Sequence, residues 1–368
     1  MDLLQTIDDL IRFRTETGNT EEIAKAAEYI KNIFSKTSAK VEIFQTNASP
    51  VVFLRNCESI DFDVVILGHI DVVPADDAMF IPVIKNGRMY GRGTLDMKSF
   101  AAVALNSMEY VVQHNLPLKF GVILSTDEEK GSKSTESFME AYPQISARIV
   151  LDNDVGGDIT KIVSKCKNPV FVKIIAHGKE AHGSTPWDGI DANELLLQTW
   201  QNIRKIYPYY AADLPQPKDK WFDTVHFAKI EGGQVSNIIS NYAEALLDFR
   251  LTENSSVENL ENNLRKCMVD GVEYKIVSSS TPVVMDENNQ DILDYKRFAE
   301  NIMQKQIEFE HIGGATDSRA FAVKGSTVIM HSGTGDGMHA SGEYVEIESV
   351  KQIADIQIKF LEHLAANL

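Results

Sequence analysis

Cysteine is scarce in this chain. Its 368 residues include only Cys57, Cys166 and Cys267, odd in number and far apart. No disulfide framework and no CxxC metal motif follows from such spacing. Long apolar runs are missing too: none approaches the roughly 20 residues that a membrane-spanning helix needs. Basic residues are in deficit. There are 36 Lys and Arg against 53 Asp and Glu, a formal charge of −17. That balance argues against nucleic acid or an anionic membrane as partner. The N-terminal stretch MDLLQTIDDLIRFR carries acids where a secretion signal has a basic start and an apolar core. The cytoplasm is the expected location. Low-complexity tracts and internal repeats are also absent.

What is present is the composition of a globular protein, 43% hydrophobic and 24% charged. The length exceeds one ordinary core, so two domains are expected. A first helix should cover roughly Leu3 to Phe13. A second should begin after Asn19-Thr20, with Glu21 and Glu22 in its first turn. Short apolar runs then read as buried strands: Val64 to Leu67, Val122 to Leu124, Ile149 to Leu151 and Val328 to Met330. Helical patterns at Met97 to His114 and Ser134 to Tyr142 separate the first three. Buried runs alternating with helices imply an α/β fold with a mainly parallel sheet.

The middle of the chain changes character. It reads as strand (Pro169 to Ala176), helix (Asp191 to Tyr207), two strands (Val225 to Ile230, Ala243 to Leu251), helix (Val257 to Val269) and strand (Val272 to Val277). That β-α-β-β-α-β order is the ferredoxin-like split βαβ sandwich. The expected division is a catalytic domain over 1–163 and 280–368 with an inserted domain over 164–279. Pro208 to Trp221 reads as a loop of the insert. Beyond Thr281-Pro282, helices are expected at Gln290 to Gln304 and Ile347 to Ala365.

The chemistry-bearing residues fall at strand ends. His69 and Asp71 follow the first buried run, Asp127, Glu128 and Glu129 the second, Asp152 and Asp154 the third. In a parallel sheet these ends converge on one edge, where α/β proteins bind ligands. Asp96 lies in the Gly-rich GRGTLDMKS and His339 in GTGDGMHASGE. An HxD pair alone fits a capped turn, and DEE alone fits a solvated face. Carboxylates gathered in one cleft repel one another, and two histidines among them suit a pair of divalent metals. Such a pair activates water and polarises a carbonyl. On an extended backbone neighbouring side chains point opposite ways, so one glutamate ligates while the other faces water as general base.

Taken together, VILGHIDVVPA, GRGTLDMKS, STDEEKGS, GKEAHGSTPWDGIDAN, GGATDSRAF and GMHASGE resemble one family, in order, over most of the chain. It is the dinuclear zinc peptidase family of glutamate carboxypeptidase, acetylornithine deacetylase, succinyl-diaminopimelate desuccinylase, aminoacylase and tripeptidase. The resemblance implies two divalent ions per subunit, with zinc expected and cobalt or manganese as alternatives. His69 and Asp152 would hold one ion, Glu129 and His339 the other, and Asp96 would bridge them. Asp71 would orient the His69 ring, and Glu128 would be the base. Asp154 is an alternative to Asp152 at the same strand end, and Asp127 is expected to be a hydrogen-bonding residue. The Asp96–Met97 peptide would be cis. His182 would reach across a homodimer interface, formed by the inserted dimerisation (lid) domain, to stabilise an oxyanion. Asn237, Arg250 and Arg319 would hold substrate.

Asp152 stands where many carboxypeptidase and deacylase members carry Glu, which is more like the di- and tripeptidases. Ser99 and Ser240 replace a common glycine and proline. The implied substrate is a small peptide, with an N-acyl amino acid as the alternative. A catalytically inactive binding homologue would have lost a ligand or the base, and here every such position is filled.

Overall fold

The computed structural model describes residues 1–208, 217–218 and 220–367. Most of the loop expected between Pro208 and Trp221 lies outside the described residues. The chain divides into two compact units. One comprises Met1–Ser164, Met285–Glu310 and Thr316–Leu368, the other Lys165–Val284 and His311–Ala315.

In the first unit, α1 (Leu3–Arg12) starts at Asp2, whose carboxylate accepts the Gln5 amide, and it buries Ile7, Leu10 and Ile11 at helical spacing. Helix α2 (Thr20–Ile33) starts at Asn19, carries Glu21 and Glu22 in its first turn and buries Ile23, Ala26, Ala27 and Ile30. Then follow β1 (Lys40–Phe44), β2 (Val51–Arg55), β3 (Asp61–His69), β4 (Val83–Lys85), β5 (Arg88–Tyr90), α3 (Lys98–Gln113), β6 (Phe120–Ser125), α4 (Lys133–Ala141), β7 (Ser146–Asp152) and β8 (Lys161–Cys166). The second unit contains β9 (Asn168–His177), α5 (Ala192–Ile206), β10 (Thr224–Gly232), β11 (Tyr242–Leu251), α6 (Val257–Cys267), β12 (Val272–Ser279) and β13 (Val283–Val284). The chain continues through α7 (Gln290–Met303), β14 (Glu308–Ile312), α8 (Arg319–Ala322), β15 (Thr327–Met330), β16 (Gly335–Asp336), β17 (Tyr344–Glu346) and α9 (Ile347–Ala366).

The main sheet of the first unit runs β1-β2-β6-β3-β7-β15-β8. Its centre, β6-β3-β7-β15, is parallel. Val64 to Leu67, Val122 to Leu124 and Ile149 to Leu151 are all buried, which is why they read as unbroken apolar runs. Register brings the carboxyl ends of these strands level. His69 lies opposite Ser125, and Leu67 and Met330 both lie opposite Asp152. A small antiparallel sheet, β16-β17-β5-β4, holds two loops beside that edge. One carries Asp96 and the other His339.

The second unit has the expected β-α-β-β-α-β order, in a sheet arranged β10-β11-β9-β12 with every pairing antiparallel. Strand β9 alternates, burying Val170, Val172, Ile174 and Ala176. These pack with Leu196 and Ile203 of α5 and Leu260 and Leu264 of α6 in one core. Among the described residues no helix is long and apolar enough to cross a membrane.

Candidate active site

His69 is the last residue of β3. Its Nδ1 lies 3.0 Å from the Asp71 carbonyl and 3.4 Å from the Asp71 carboxylate. That fixes the ring and leaves Nε2 facing Asp96 Oδ1 at 3.0 Å. Asp96 sits in the loop between β5 and α3, and the Asp96–Met97 peptide is cis, as the resemblance implied. Its Oδ2 lies 3.0 Å from His339 Nε2. The same His339 nitrogen lies 3.0 Å from Glu129 Oε2. Two groups of donors thus share Asp96: His69, Asp96 and Asp154, and Asp96, Glu129 and His339. In each, the donor atoms lie within 4.8 Å of one another.

Two expectations need correction. The first concerns Asp152, expected beside His69. The structure brings Asp154 there instead, with Oδ2 3.9 Å from His69 Nε2. Asp152 is buried at the end of β7, where it accepts the Asp154 amide at 2.9 Å and the hydroxyls of Ser318 and Thr316. The chain turning out of the strand bonds back to Asp152 through the Asp154 amide and carries the second aspartate to the histidine. The second correction concerns the backbone at Glu128 and Glu129. It is not extended but forms a short 3₁₀ turn over Glu128–Lys130. Asp71, fully buried, holds that turn. Its Oδ1 accepts the Glu128 amide at 3.1 Å, and its Oδ2 accepts the Glu129 amide at 3.3 Å and the Thr17 hydroxyl at 2.7 Å. Asp127 accepts the Ser134 amide at 3.1 Å and the Ser134 hydroxyl at the start of α4. It is a hydrogen-bonding residue, as expected.

The electrostatics follow from crowding acids into a dry edge. Burial pushes the Glu128 pKa up to about 8; Asp317, Asp96 and Glu129 add to this, and His69 opposes it. Burial also raises Asp154, and Asp96 adds to the effect. For Asp96 burial works the same way, yet His339 and His69 hold it below the usual carboxylate range. Burial disfavours a charged His69, but Asp71 and Asp96 outweigh it and raise the pKa. Asp96 and Glu129 hold His339 up to about 10. Such a cluster calls for positive charge. Glu129 Oε1 is buried with no hydrogen-bond partner among the described residues, an acceptor with a lone pair to give. Two imidazole nitrogens with carboxylates on either side of a shared Asp96 fit two divalent cations.

The remaining expected residues fall as follows. Arg319, in the first unit, donates from Nη1 to the Thr316 carbonyl at 3.1 Å, and its Nη2 lies 3.8 Å from Asp317. His182, Asn237 and Arg250 belong to the second unit. His182 is exposed, with Nδ1 2.7 Å from the Ser184 hydroxyl. Asn237 is exposed, and its carbonyl accepts the Gly183 amide at 2.8 Å. Arg250 forks onto Asp248 at 2.8 and 3.0 Å, so its guanidinium already has a carboxylate. His331 is a core histidine, bonded to the Ile159 carbonyl at 2.7 Å and lowered by burial to about 4.

Sequence reasoning missed three residues. Thr17 reaches Asp71 from the turn before α2. Asp317 accepts the Thr135 hydroxyl at 2.8 Å and adds its charge beside Glu128. Glu343 is buried under the Asp96 loop. Asp317 and Glu343 sit inside the stretches that carry the resemblance, but only tertiary contacts reveal what they face.

A family model described as peptidase family M20/M25/M40 matches residues 65–363. A probable succinyl-diaminopimelate desuccinylase of Staphylococcus aureus is 26% identical over 98% of this chain and 97% of that protein. An M20 family metallo-carboxypeptidase of Sulfolobus solfataricus has a TM-score of 0.82 at 18% identity, over 100% of both chains. A tripeptidase of Staphylococcus aureus has a TM-score of 0.80 at 17% identity, over 99% of this chain and 98% of that one. At those identities the solved structures speak for the fold. The family model spans most of the sequence, including the motifs that build the shared-Asp96 cluster. The chain therefore belongs to peptidase family M20/M25/M40 and is a metal-dependent hydrolase.

Proposed function

We propose that the enzyme hydrolyses the amide bond of a small peptide, as a di- or tripeptidase or in the manner of a carboxypeptidase. One observation carries this reading: the two Asp96 oxygens each face a different histidine at 3.0 Å. Beside them, no hydrogen bond among the described residues ties down the Glu128 carboxylate. His69 and Asp154 would hold one divalent ion, Glu129 and His339 the other, with Asp96 between them and zinc the expected metal. Bound there, the ions supply Lewis acidity toward a carbonyl and lower the pKa of water.

The chain supplies the rest. Glu128 accepts a proton from the water that attacks the scissile carbon and returns it to the departing nitrogen. Asp71 fixes the His69 ring and, through two backbone amides, the turn that carries Glu128 and Glu129. His182 would stabilise the oxyanion from the partner subunit of a homodimer. Arg319, Arg250 and Asn237 would recognise a substrate carboxylate, though Arg250 must then share its fork with Asp248.

A second reading, N-acyl amino acid deacylase, is supported by the desuccinylase relative. One panel separates the two: dipeptides, tripeptides and their N-acyl counterparts, each assayed after chelation and after zinc is restored. Zinc-dependent cleavage of the free peptides is expected. Cleavage of N-acyl substrates alone would make the enzyme a deacylase, and no cleavage with any divalent metal would end the hydrolase reading. The dimer has its own test, in which inactive His182→Ala and Glu128→Gln chains are mixed and allowed to exchange. Partial return of activity is expected. None, with exchange confirmed by mass, would mean that His182 serves its own chain.

A further inference from the structure

We infer that Glu343 is a positioning residue: it clamps the loop carrying Asp96 to the loop carrying His339 and thereby sets the affinity of the centre for its cations. The inference rests on the two-cation reading above. Asp96 and His339 are 243 residues apart in the chain, yet on that reading both must face the same ion. Their loops leave the small sheet side by side. Tyr90 ends β5, Tyr344 opens β17, and the two are register partners. The segments 91–97 and 337–343 therefore depart from one end of one strand pair.

Glu343 is the last residue before β17 and is 0% exposed. Its Oε1 accepts the Leu95 amide at 2.8 Å and the Asp96 amide at 3.1 Å. Its Oε2 accepts the Gly93 amide at 3.1 Å and a guanidinium N–H of Arg92. The Glu343 carbonyl accepts the Gly91 amide at 3.2 Å. Arg92 is itself nearly buried, and its other arm donates to the carbonyl of Ala340, next to His339, at 3.3 Å. One carboxylate thus fixes the backbone that aims Asp96, and its charge partner carries the restraint to the His339 loop.

The sequence explains why a clamp is needed. Gly91 and Gly93 adopt φ of 156° and 84°, so the loop has little local preference for this one shape. Three convergent N–H groups and a guanidinium demand an acceptor-only group with several lone pairs, which is an ionised carboxylate. Glutamine would turn an N–H₂ against one of those donors. An ion pair serving only to stabilise the fold has no need to end on the amide of the shared ligand.

The test uses the full chain, stripped with a chelator and titrated with Zn²⁺ against a chromophoric competitor. Glu343→Gln should bind at least one ion about 10- to 100-fold more weakly than wild type, the range typical of groups that orient metal ligands. At saturating Zn²⁺, kcat should fall while KM stays within about twofold, because the substrate contacts are untouched. Residue-resolved hydrogen exchange should show Gly93, Leu95 and Asp96 amides opening faster in the variant. A folded Glu343→Gln with wild-type Zn²⁺ affinity overturns the inference, even if it melts earlier. Should the variant not fold, the metal-free wild type decides. Those three amides must already be protected before metal is added, and free exchange there means no preformed clamp. A wild type that binds no Zn²⁺ at all ends the two-cation reading itself, which is a different failure.

Discussion

Two strand ends of the first unit invite comparison. After β6 the chain reads Asp127-Glu128-Glu129, and after β7 it reads Asp152-Asn153-Asp154. Both follow buried parallel strands. At both, the first acid turns toward the scaffold: Asp127 takes the Ser134 amide and hydroxyl, and Asp152 takes the Asp154 amide with two hydroxyls. At both, the third residue faces the cleft: Glu129 meets His339 and Asp154 meets His69. They differ in the middle. Glu128 is a carboxylate without a hydrogen bond among the described residues, whereas Asn153 is an amide spent on the His331 carbonyl and the Gln357 side chain. One strand end can therefore supply a ligand and a base, the other a ligand only. The role of an acid here depends on the donors already within its reach, and closeness to the strand is no guide.

The largest expected effect tests the middle position. Glu128→Gln should lower kcat by about 10²- to 10⁴-fold with metal content unchanged, measured by steady-state kinetics beside metal analysis. Glu129→Gln should lose metal as well. If Glu128→Gln loses metal and Glu129→Gln keeps it, the two roles are reversed.

Next comes the contrast between the two aspartates at the end of β7. Asp154→Asn should weaken Zn²⁺ binding by about 100-fold or more, beyond what groups that merely orient ligands contribute. Asp152→Asn should cost about 10-fold or less, since it acts through the Asp154 backbone. Competition titrations on the two stripped variants give the ratio. The opposite ranking would make Asp152 the ligand and break the parallel between the two strand ends.

The smallest effect concerns the first acid after β6. Asp127→Ala should cost about 1 kcal/mol of stability by uncapping α4, read from urea unfolding. It should leave metal content and kcat as they were. A variant that unfolds normally but loses metal would move Asp127 into the site.

Much of this was legible in advance for a physical reason. A strand buried on both faces must be apolar on both, so β3, β6 and β7 announce themselves, and the acids beyond them mark the sheet edge. The change to alternating strands marks the second unit, because a sheet covered on one face needs apolar residues only at every second position. Two things were not legible. The 3₁₀ turn at Glu128 depends on Asp71, which is 57 residues away and accepts its amide. That Asp154, and not Asp152, lies beside His69 shows only once Asp152 is seen to accept the Asp154 amide and to face Ser318 and Thr316, which a distant segment brings in.

By itself, then, the sequence determined which strands are buried, that a β-α-β-β-α-β unit interrupts the first one, and which motifs supply histidines and acids to one edge. Periodicity and burial are local properties, written in neighbouring residues. Only the tertiary structure decided which of several adjacent carboxylates faces the histidines, because that depends on where each oxygen finds a donor. Those donors are Ser134 for Asp127, Ser318 and Thr316 for Asp152, and Thr17 with two backbone amides for Asp71. Some come from far along the chain, and the carboxylates they leave unbonded are the ones available for chemistry.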